Sequence, residues 1–161
     1  MATDRFIYFL HQKCKVKQGD ILLLGVSGGP DSICLLDKLQ KAGIELIIAY
    51  YNHYLRPESD ADSEFVKQAA DFRGLKFIQG GGDVLQFAKK GHKTIEEAAR
   101  IYRYKFLFEQ AIKQGACAVA VGHTADDQVE TILMHIIRGC GLEGLQGMQP
   151  CIKSKRIFCS Y

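Results

Sequence analysis

The sequence predicts an α/β fold, a parallel sheet with helices on both faces. Three observations carry that reading. Apolar runs of strand length alternate with longer segments of helical period. The runs are continuous rather than alternating, as strands buried on both faces read. Polar clusters fall where the runs end, at the edge where open parallel sheets hold ligands.

Each element has its own signal. Residues 6–14 predict a short leading helix. Residues 21–26, Ile-Leu-Leu-Leu-Gly-Val, predict a first strand that runs straight into Ser27-Gly28-Gly29-Pro30-Asp31-Ser32. A helix follows, with Ile33, Leu35, Leu36 and Leu39 apolar and Gly43 as its stop. Residues 45–51 form a second apolar strand ending in Asn52-His53. Residues 59–72 have helical period through Phe65, Ala69 and Phe72, closed by Arg73-Gly74. Residues 75–78 read as a short third strand, broken by Gly80-Gly81-Gly82-Asp83. Lys89, Lys90, His92 and Lys93 then form a basic cluster in a loop, which reads as solvated, with a nucleic-acid-phosphate role as the lesser alternative. Residues 94–114 predict a long helix with Thr94 as N-cap and Glu97 three residues on. Residues 116–122 make the fourth strand. The next helix spans 125–138, ends at Gly139, and is expected to place Ile132, Leu133, Met134, Ile136 and Ile137 in the core. Residues 156–161 add one last strand.

Composition narrows the class. A chain of 161 residues, 47% hydrophobic and 24% charged, has enough apolar material for one packed domain. A net charge of +3 is compatible with an anionic partner but falls short of the basic excess of a domain that alone holds nucleic acid tightly. The six cysteines include no CxxC pair, which argues against zinc, an iron–sulfur cluster or a disulfide framework. Cys34, Cys117 and Cys159 fall in or beside apolar runs and are expected to act as small hydrophobes. The chain opens without a signal-peptide pattern and has no apolar run of the ~20 residues that span a bilayer. The expectation is a reduced, soluble, cytoplasmic protein.

The loop 27–32 is the first candidate site. A glycine pair between a buried strand and a helix lets the chain turn tightly and aim amide N–H groups at an anion. The serines add hydroxyls, and the helix N-terminus adds its dipole. Neither GxxxxGK[ST] nor GxGxxG is present. The alternative is an ordinary strand–helix turn capped by Asp31 or Ser32. His53 and Arg56 end the second strand, and they read equally as site residues or as a satisfied histidine and a solvated charge. On the long helix Arg100 and Arg103 share a face, while Ala99, Tyr102 and Phe106 make an apolar one. An arginine aimed at the site stabilises charge developing on a phosphate, whereas a solvated one pairs with Glu96 or Glu97. Gly122 and His123 end the fourth strand. Asp126 and Asp127 open the next helix, where one of them serves as a cap. Asp127 and Glu130, three apart, are assigned to the site: paired carboxylates hold Mg2+, orient an amine or take its proton.

Ser-Gly-Gly-x-Asp-Ser resembles the PP-loop signature of enzymes that cleave ATP between the α and β phosphates to adenylate a substrate. Four further stretches narrow the resemblance to tRNA(Ile)-lysidine synthetases: Tyr51-Asn-His-Tyr-Leu-Arg-Pro-Glu-Ser59, Glu96-Glu-Ala-Ala-Arg-Ile-Tyr-Arg-Tyr104, Gly122-His-Thr-Ala-Asp-Asp-Gln-Val-Glu-Thr131 and Arg138-Gly-Cys-Gly-Leu-Glu-Gly-Leu-Gln-Gly-Met148. They stand in the family's order and cover residues 20–148. The family pattern has Gly where Tyr54 stands and often a second histidine where Thr124 stands.

The resemblance implies a Rossmann-like, adenine-nucleotide α-hydrolase fold, with ATP and Mg2+ as cofactors and free L-lysine and tRNA(Ile) bearing a CAU anticodon as partners. It implies that Ser27, Gly28, Gly29, Pro30 and Ser32 cradle the departing pyrophosphate, with His53, Gly122 and His123 also on the nucleotide. Asp31 and Asp127 are the implied metal or amine-activating groups. Arg103 neutralises charge at the α-phosphate, Glu130 completes the catalytic set, and Arg100 is structural. Members of the family normally continue past this length, so the expectation is one catalytic domain over 1–161 without the C-terminal tRNA-binding domains. Two alternatives stand beside it: another PP-loop tRNA-modifying enzyme, such as a thiolase, and a non-catalytic nucleotide-binding module.

Overall fold

Five of the six strands run parallel, and the chain reverses its direction of travel across the sheet after the third. The computed structural model describes residues 2–55, 59–123, 125–137, 147, 151–152 and 157–160. Strands β1 (Ile21–Gly25), β2 (Glu45–Asn52), β3 (Lys76–Gly81), β4 (Ala118–Gly122), β5 (Cys151–Ile152) and β6 (Ile157–Ser160) lie in the order β3-β2-β1-β4-β6-β5. β1 pairs with β2 and β4, and β6 with β4, all parallel; β5 alone is antiparallel, on the edge. That antiparallel edge strand was not expected. Because the crossovers go outward from β1 to β3 and then return to the other side of β1, the carboxyl ends of β1 and β4 form a topological switch point.

Both faces of the sheet are covered, which explains the continuous apolar runs. Leu22 and Leu24 of β1 pack with Leu46 and Ile48 of β2 against α1 (Ala2–Gln12), α2 (Pro30–Lys41) and α3 (Ser59–Phe72). Leu23, with Ile47, Ala49, Val119 and Val121, packs against Leu107 and Ala111 of α5 (Ile95–Lys113) on the opposite face. Thr94 caps α5 as expected, its Oγ1 accepting the Glu97 N–H at 3.2 Å. Among the described residues no helix is long and apolar enough to cross a membrane.

Several expectations are corrected. Residues 84–91 form a further helix, α4 (Val84–Gly91), capped by Asp83 and packed on α5 through Val84, Ala88 and Ala98. Lys89 and Lys90 are therefore in its last turn, and His92 is its left-handed C-cap rather than part of a loop. β3 extends through Gly80 and Gly81 instead of breaking there. On α3 the buried positions are Ser63, Val66 and Ala70, while Phe65 and Phe72 are exposed. The physical reason is close approach: Val66 and Asp62 lie within about 4 Å of where a side chain on Gly28 would begin, so this face takes small residues. Leu133, Met134 and Ile137 of α6 (Ala125–Ile137) are also exposed, contrary to their expected place in the core. Helical period identifies an apolar face but not what covers it. Cys34 is exposed too, whereas Cys14 is buried and Cys117 half-buried. Gly139 and most of 138–148 lie outside the described residues.

Gly80 shows why a glycine run belongs to a strand here. The Phe106 ring of α5 lies against it, and a Cβ at residue 80 would overlap that ring. Gly80→Ala is expected to cost about 1–3 kcal/mol in urea unfolding. In a Phe106→Ala background most of that difference is expected to vanish.

Candidate nucleotide site

The loop after β1 is built around one buried hydroxyl. Ser32 Oγ donates to the Gly29 carbonyl at 2.8 Å and accepts from the Ser27 N–H at 3.4 Å. Ser27 Oγ lies 3.4 Å from Ser32 Oγ and 3.5 Å from the Gly29 N–H that donates to it. Gly28 has φ +86°, so it needs to be glycine for the turn. Gly29 does not: as N-cap of α2 it has φ −73° and ψ 161°, and a Cβ there would meet only Ser27 Oγ, at 3.6 Å. Nothing in the fold requires residue 29 to lack a side chain. Gly29 is the N-cap itself and Pro30 opens the helix, so neither Asp31 nor Ser32 is the cap.

The end of β2 is tied down by Asn52, which is fully buried. Its Nδ2 donates to Asp60 Oδ1 at 3.0 Å, its Oδ1 accepts the Tyr54 N–H at 2.8 Å, and its carbonyl accepts the Gly82 N–H at 3.2 Å. This Asx-type turn holds Tyr54 at φ +51°, where the family pattern has glycine. The Asn52 side chain thus supports a conformation that a non-glycine residue rarely adopts.

These segments enclose a cavity of about 490 Å³ at the switch point, within the usual range for small-molecule sites. Ser27 and Ser32 line it from the loop, Tyr51, Asn52, His53 and Tyr54 from β2 and its turn, and Asp62 from α3. Arg103 comes from α5, Gly122 and His123 from the end of β4, and Asp127 from α6. Seven of the expected site residues are therefore brought together: Ser27, Ser32, His53, Arg103, Gly122, His123 and Asp127. Gly28, Gly29, Pro30 and Asp31 flank the cavity without lining it. Asp126 and Glu130 are exposed and lie outside its lining, and so does exposed Arg100. Arg56 and Thr124 lie outside the described residues. Sequence reasoning gave no role to Tyr51, Tyr54 or Asp62; strand-end position was the signal for the two tyrosines, and no sequence signal marked Asp62.

Polar atoms in this cavity are incompletely paired. Among the described residues the buried Arg103 Nε and His53 Nδ1 have no hydrogen-bond partner. A buried donor left unpaired costs about 1–3 kcal/mol, so such groups mark a place for a ligand. His123 is held from both sides: Nε2 is 3.3 Å from the Tyr104 hydroxyl, and Nδ1 is 3.8 Å from Asp127 Oδ2. Burial lowers the His53 pKa, and Arg103 lowers it further. Burial also lowers that of His123, with Asp127 opposing and Arg103 and Arg100 assisting. Both rings are therefore neutral at physiological pH. Burial chiefly, with Tyr102 and Tyr54 beside it, raises the Tyr51 phenol, which remains a donor.

Among the described residues no three His, Cys, Asp or Glu side chains converge as a metal cage. That is compatible with Mg2+, which uses one or two carboxylates together with phosphate oxygens and water.

A family model described as the PP-loop domain matches residues 3–159, and the chain belongs to that family. Curated relatives named tRNA(Ile)-lysidine synthase are similar to this chain. The one from Dehalococcoides mccartyi is 43% identical over 157 residues, covering 94% of this chain and 33% of the relative. That from Geobacter sulfurreducens is 41% identical over 138 residues, 83% of this chain and 29% of the relative. The chain thus spans about a third of the length of these relatives. Among solved structures it resembles the U34-tRNA thiolase NcsA of Methanococcus maripaludis, with a TM-score of 0.78 at 18% identity, over 98% of this chain and 57% of that one. It also resembles the NH3-dependent NAD synthetase of Campylobacter jejuni, with a TM-score of 0.63 at 18% identity, over 80% of this chain and 58% of that one. At this identity the structures speak for the fold alone.

The two histidines give a pH prediction. Their folded pKa values lie below the ordinary 6.5, so as pH falls the unfolded chain takes up protons first. Stability is unaffected above about 6.5 and declines below it until the lowered folded values are passed. The thermal midpoint is expected to fall as the pH drops below about 6.5, and less steeply in a His53→Asn/His123→Asn variant.

Proposed function

We propose that this chain is the nucleotide-binding catalytic domain of a tRNA(Ile)-lysidine synthase, which uses ATP to join lysine to C2 of the wobble cytidine of tRNA(Ile). The observation that carries the reading is the pair of buried, unpartnered nitrogens, Arg103 Nε and His53 Nδ1, in a cavity at the switch point beside the glycine loop. An uncompensated guanidinium N–H wants an anion, and an unpaired imidazole nitrogen wants a polar partner. The identity to curated synthases supplies the reaction class.

The cytidine C2 oxygen attacks the α-phosphorus of ATP, and the bond to the β-phosphate breaks to release pyrophosphate. The lysine ε-amine then adds at C2, AMP leaves with the C2 oxygen, and the amine proton passes to a carboxylate or to water. In this scheme the backbone of Gly28 and Gly29 and the N-terminus of α2 receive the departing pyrophosphate, with Ser27 and Ser32 shaping the loop. Arg103 neutralises the charge developing at the α-phosphate. His53 faces the adenosine end. Asp127 receives the amine. Bound Mg2+ would offset charge on the phosphates, and Asp31 and Asp127 would be the carboxylates to hold it.

Gly29 offers a clean test of the loop. Gly29→Ala is expected to leave the thermal midpoint nearly unchanged while weakening ATP binding about tenfold to a hundredfold, as a side chain displaces phosphate from one amide. An unchanged ATP affinity would remove the loop from the site.

The reaction is tested by incubating the protein with ATP, Mg2+, lysine and an unmodified tRNA(Ile) transcript. Lysine-dependent AMP formation with lysidine in the tRNA is the expected result, and Asp31→Ala is expected to suppress pyrophosphate release. Thiouridine formation would instead make it a thiolase. ATP binding without RNA retardation at low salt would make it a nucleotide-binding module.

A further inference from the structure

Tyr104 stands between the two sides of the cavity, yet nothing in the reaction as described requires it. It follows Arg103 on α5, and its hydroxyl crosses to β4 to meet His123 Nε2 at 3.3 Å. Its ring stacks on Phe108, with centroids 6.2 Å apart and planes 25° apart. The Arg103 guanidinium carbon lies 5.4 Å from the centre of the same ring, and that of Arg100 lies 5.8 Å away.

We infer that Tyr104 is a positioning residue: its hydroxyl holds His123 in the tautomer that carries the proton on Nδ1, facing Asp127, while its ring seats the Arg103 guanidinium at the cavity wall. The inference rests on the reading of this cavity as the nucleotide site. The tautomer follows from what lies on each side of the imidazole. Nδ1 looks towards the Asp127 carboxylate, with 3.8 Å to Oδ2, and a carboxylate oxygen can only accept. A lone pair on Nδ1 would face that oxygen with repulsion, whereas an N–H there is attracted. The proton therefore sits on Nδ1, which leaves a lone pair on Nε2. The group opposite Nε2 must then donate, and the Tyr104 hydroxyl is a donor in position.

The consequence is a chain from α5 to α6. The phenol orients the imidazole, and the imidazole N–H orients the carboxylate expected to receive the amine. The same ring offers its negative face to Arg103, whose Nε is otherwise unpartnered, and so holds that charge in place before substrate arrives. One residue thereby couples the position of the cation to that of the carboxylate. Removing only the hydroxyl separates these effects.

The test uses the full chain with 15N-labelled histidine, at a pH near 8 where the ring is neutral, and assigns His123 by its loss in His123→Gln. The wild-type spectrum is expected to show Nδ1 protonated and Nε2 as the imine-type nitrogen. In Tyr104→Phe, which keeps the ring, the His123 signals are expected to move towards a mixture of tautomers. Tyr104→Leu, which removes the ring as well, is expected to bind ATP about tenfold more weakly than Tyr104→Phe. A wild-type His123 protonated on Nε2, or a Tyr104→Phe spectrum identical to wild type, overturns the hydroxyl's role. Equal ATP affinity of the two variants overturns the ring's role. The wild-type tautomer is read without nucleotide, so it stands or falls separately from the absence of lysine-dependent chemistry.

Discussion

The first turn of α2 lies directly against the last residue of β4, and this contact governs the geometry of the whole site. A Cβ on Gly122 would meet Ser32 Cα at 3.3 Å and Ser32 N at 3.4 Å, which is tighter than ordinary packing. With no side chain at 122, the loop that follows β1 and the residues that follow β4 reach the same cavity from neighbouring strands. Ser32 is central on one side of this junction, because its hydroxyl closes the loop onto Gly29. His123 begins the other side. The parallel pairing of β1 with β4, Leu22 opposite Ala118 through Gly25 opposite Val121, brings the two carboxyl ends level. A larger residue at 122 would push α2, the loop 27–32 and Asp127 apart together.

The cavity that results is cationic on the α5 wall and carries the carboxylates of Asp62 and Asp127 on its α3 and α6 walls. Arg103 is the fixed positive charge, and its nearness is one cause of the lowered pKa values of both His53 and His123. The phosphate-binding role proposed for the site gains from this arrangement. The histidines remain neutral hydrogen-bonding groups, so the cation is not duplicated by neighbours that it would repel. Asp127 opposes the shift at His123 and brings a negative charge to the same ring. The two charges stand on different helices, α5 and α6, and so can address different parts of a substrate.

The turn after β2 closes the third side. Asn52 satisfies Asp60, Tyr54 and Gly82 at once, joining the end of β2 to the start of α3 and the end of β3. Tyr54 is thereby held in the left-handed region, with its ring over Gly81, where a Cβ would meet Tyr54 Cε2 at 2.8 Å. A tyrosine occupies a turn that glycine would adopt without strain, and the network around Asn52 accounts for its doing so. This part of the cavity wall is bulkier for it.

Hydrophobic period and strand-end polarity were enough, from residues alone, to read the sheet class, the four main strands, the long helix with its Thr94 cap and the loop 27–32. These are local properties: a strand buried on both faces must be apolar throughout, and a cap is fixed within one turn. Strand-end polarity also pointed to His53, His123 and Asp127, while Arg103 was singled out by the family resemblance. Other features depended on what lies opposite. Gly80 and Gly81 read as a breaker until Phe106 covered residue 80. Phe65 and Phe72 fall on an apolar helical period and Leu133 and Ile137 read as core, but Ser63, Val66 and Ala70 are the buried positions of α3, and Leu133 and Ile137 of α6 are exposed. Asp127 and Glu130 share a helix face by spacing, yet the cavity takes only Asp127, because its lining is set by where α6 meets the end of β4. The sequence by itself determined which chemistry could be assembled. Only the tertiary structure decided that no described residue crowds a side chain at Gly29, that Arg103 Nε has no hydrogen-bond partner among the described residues and that Tyr104 spans to His123, since each depends on distances that the local sequence does not fix.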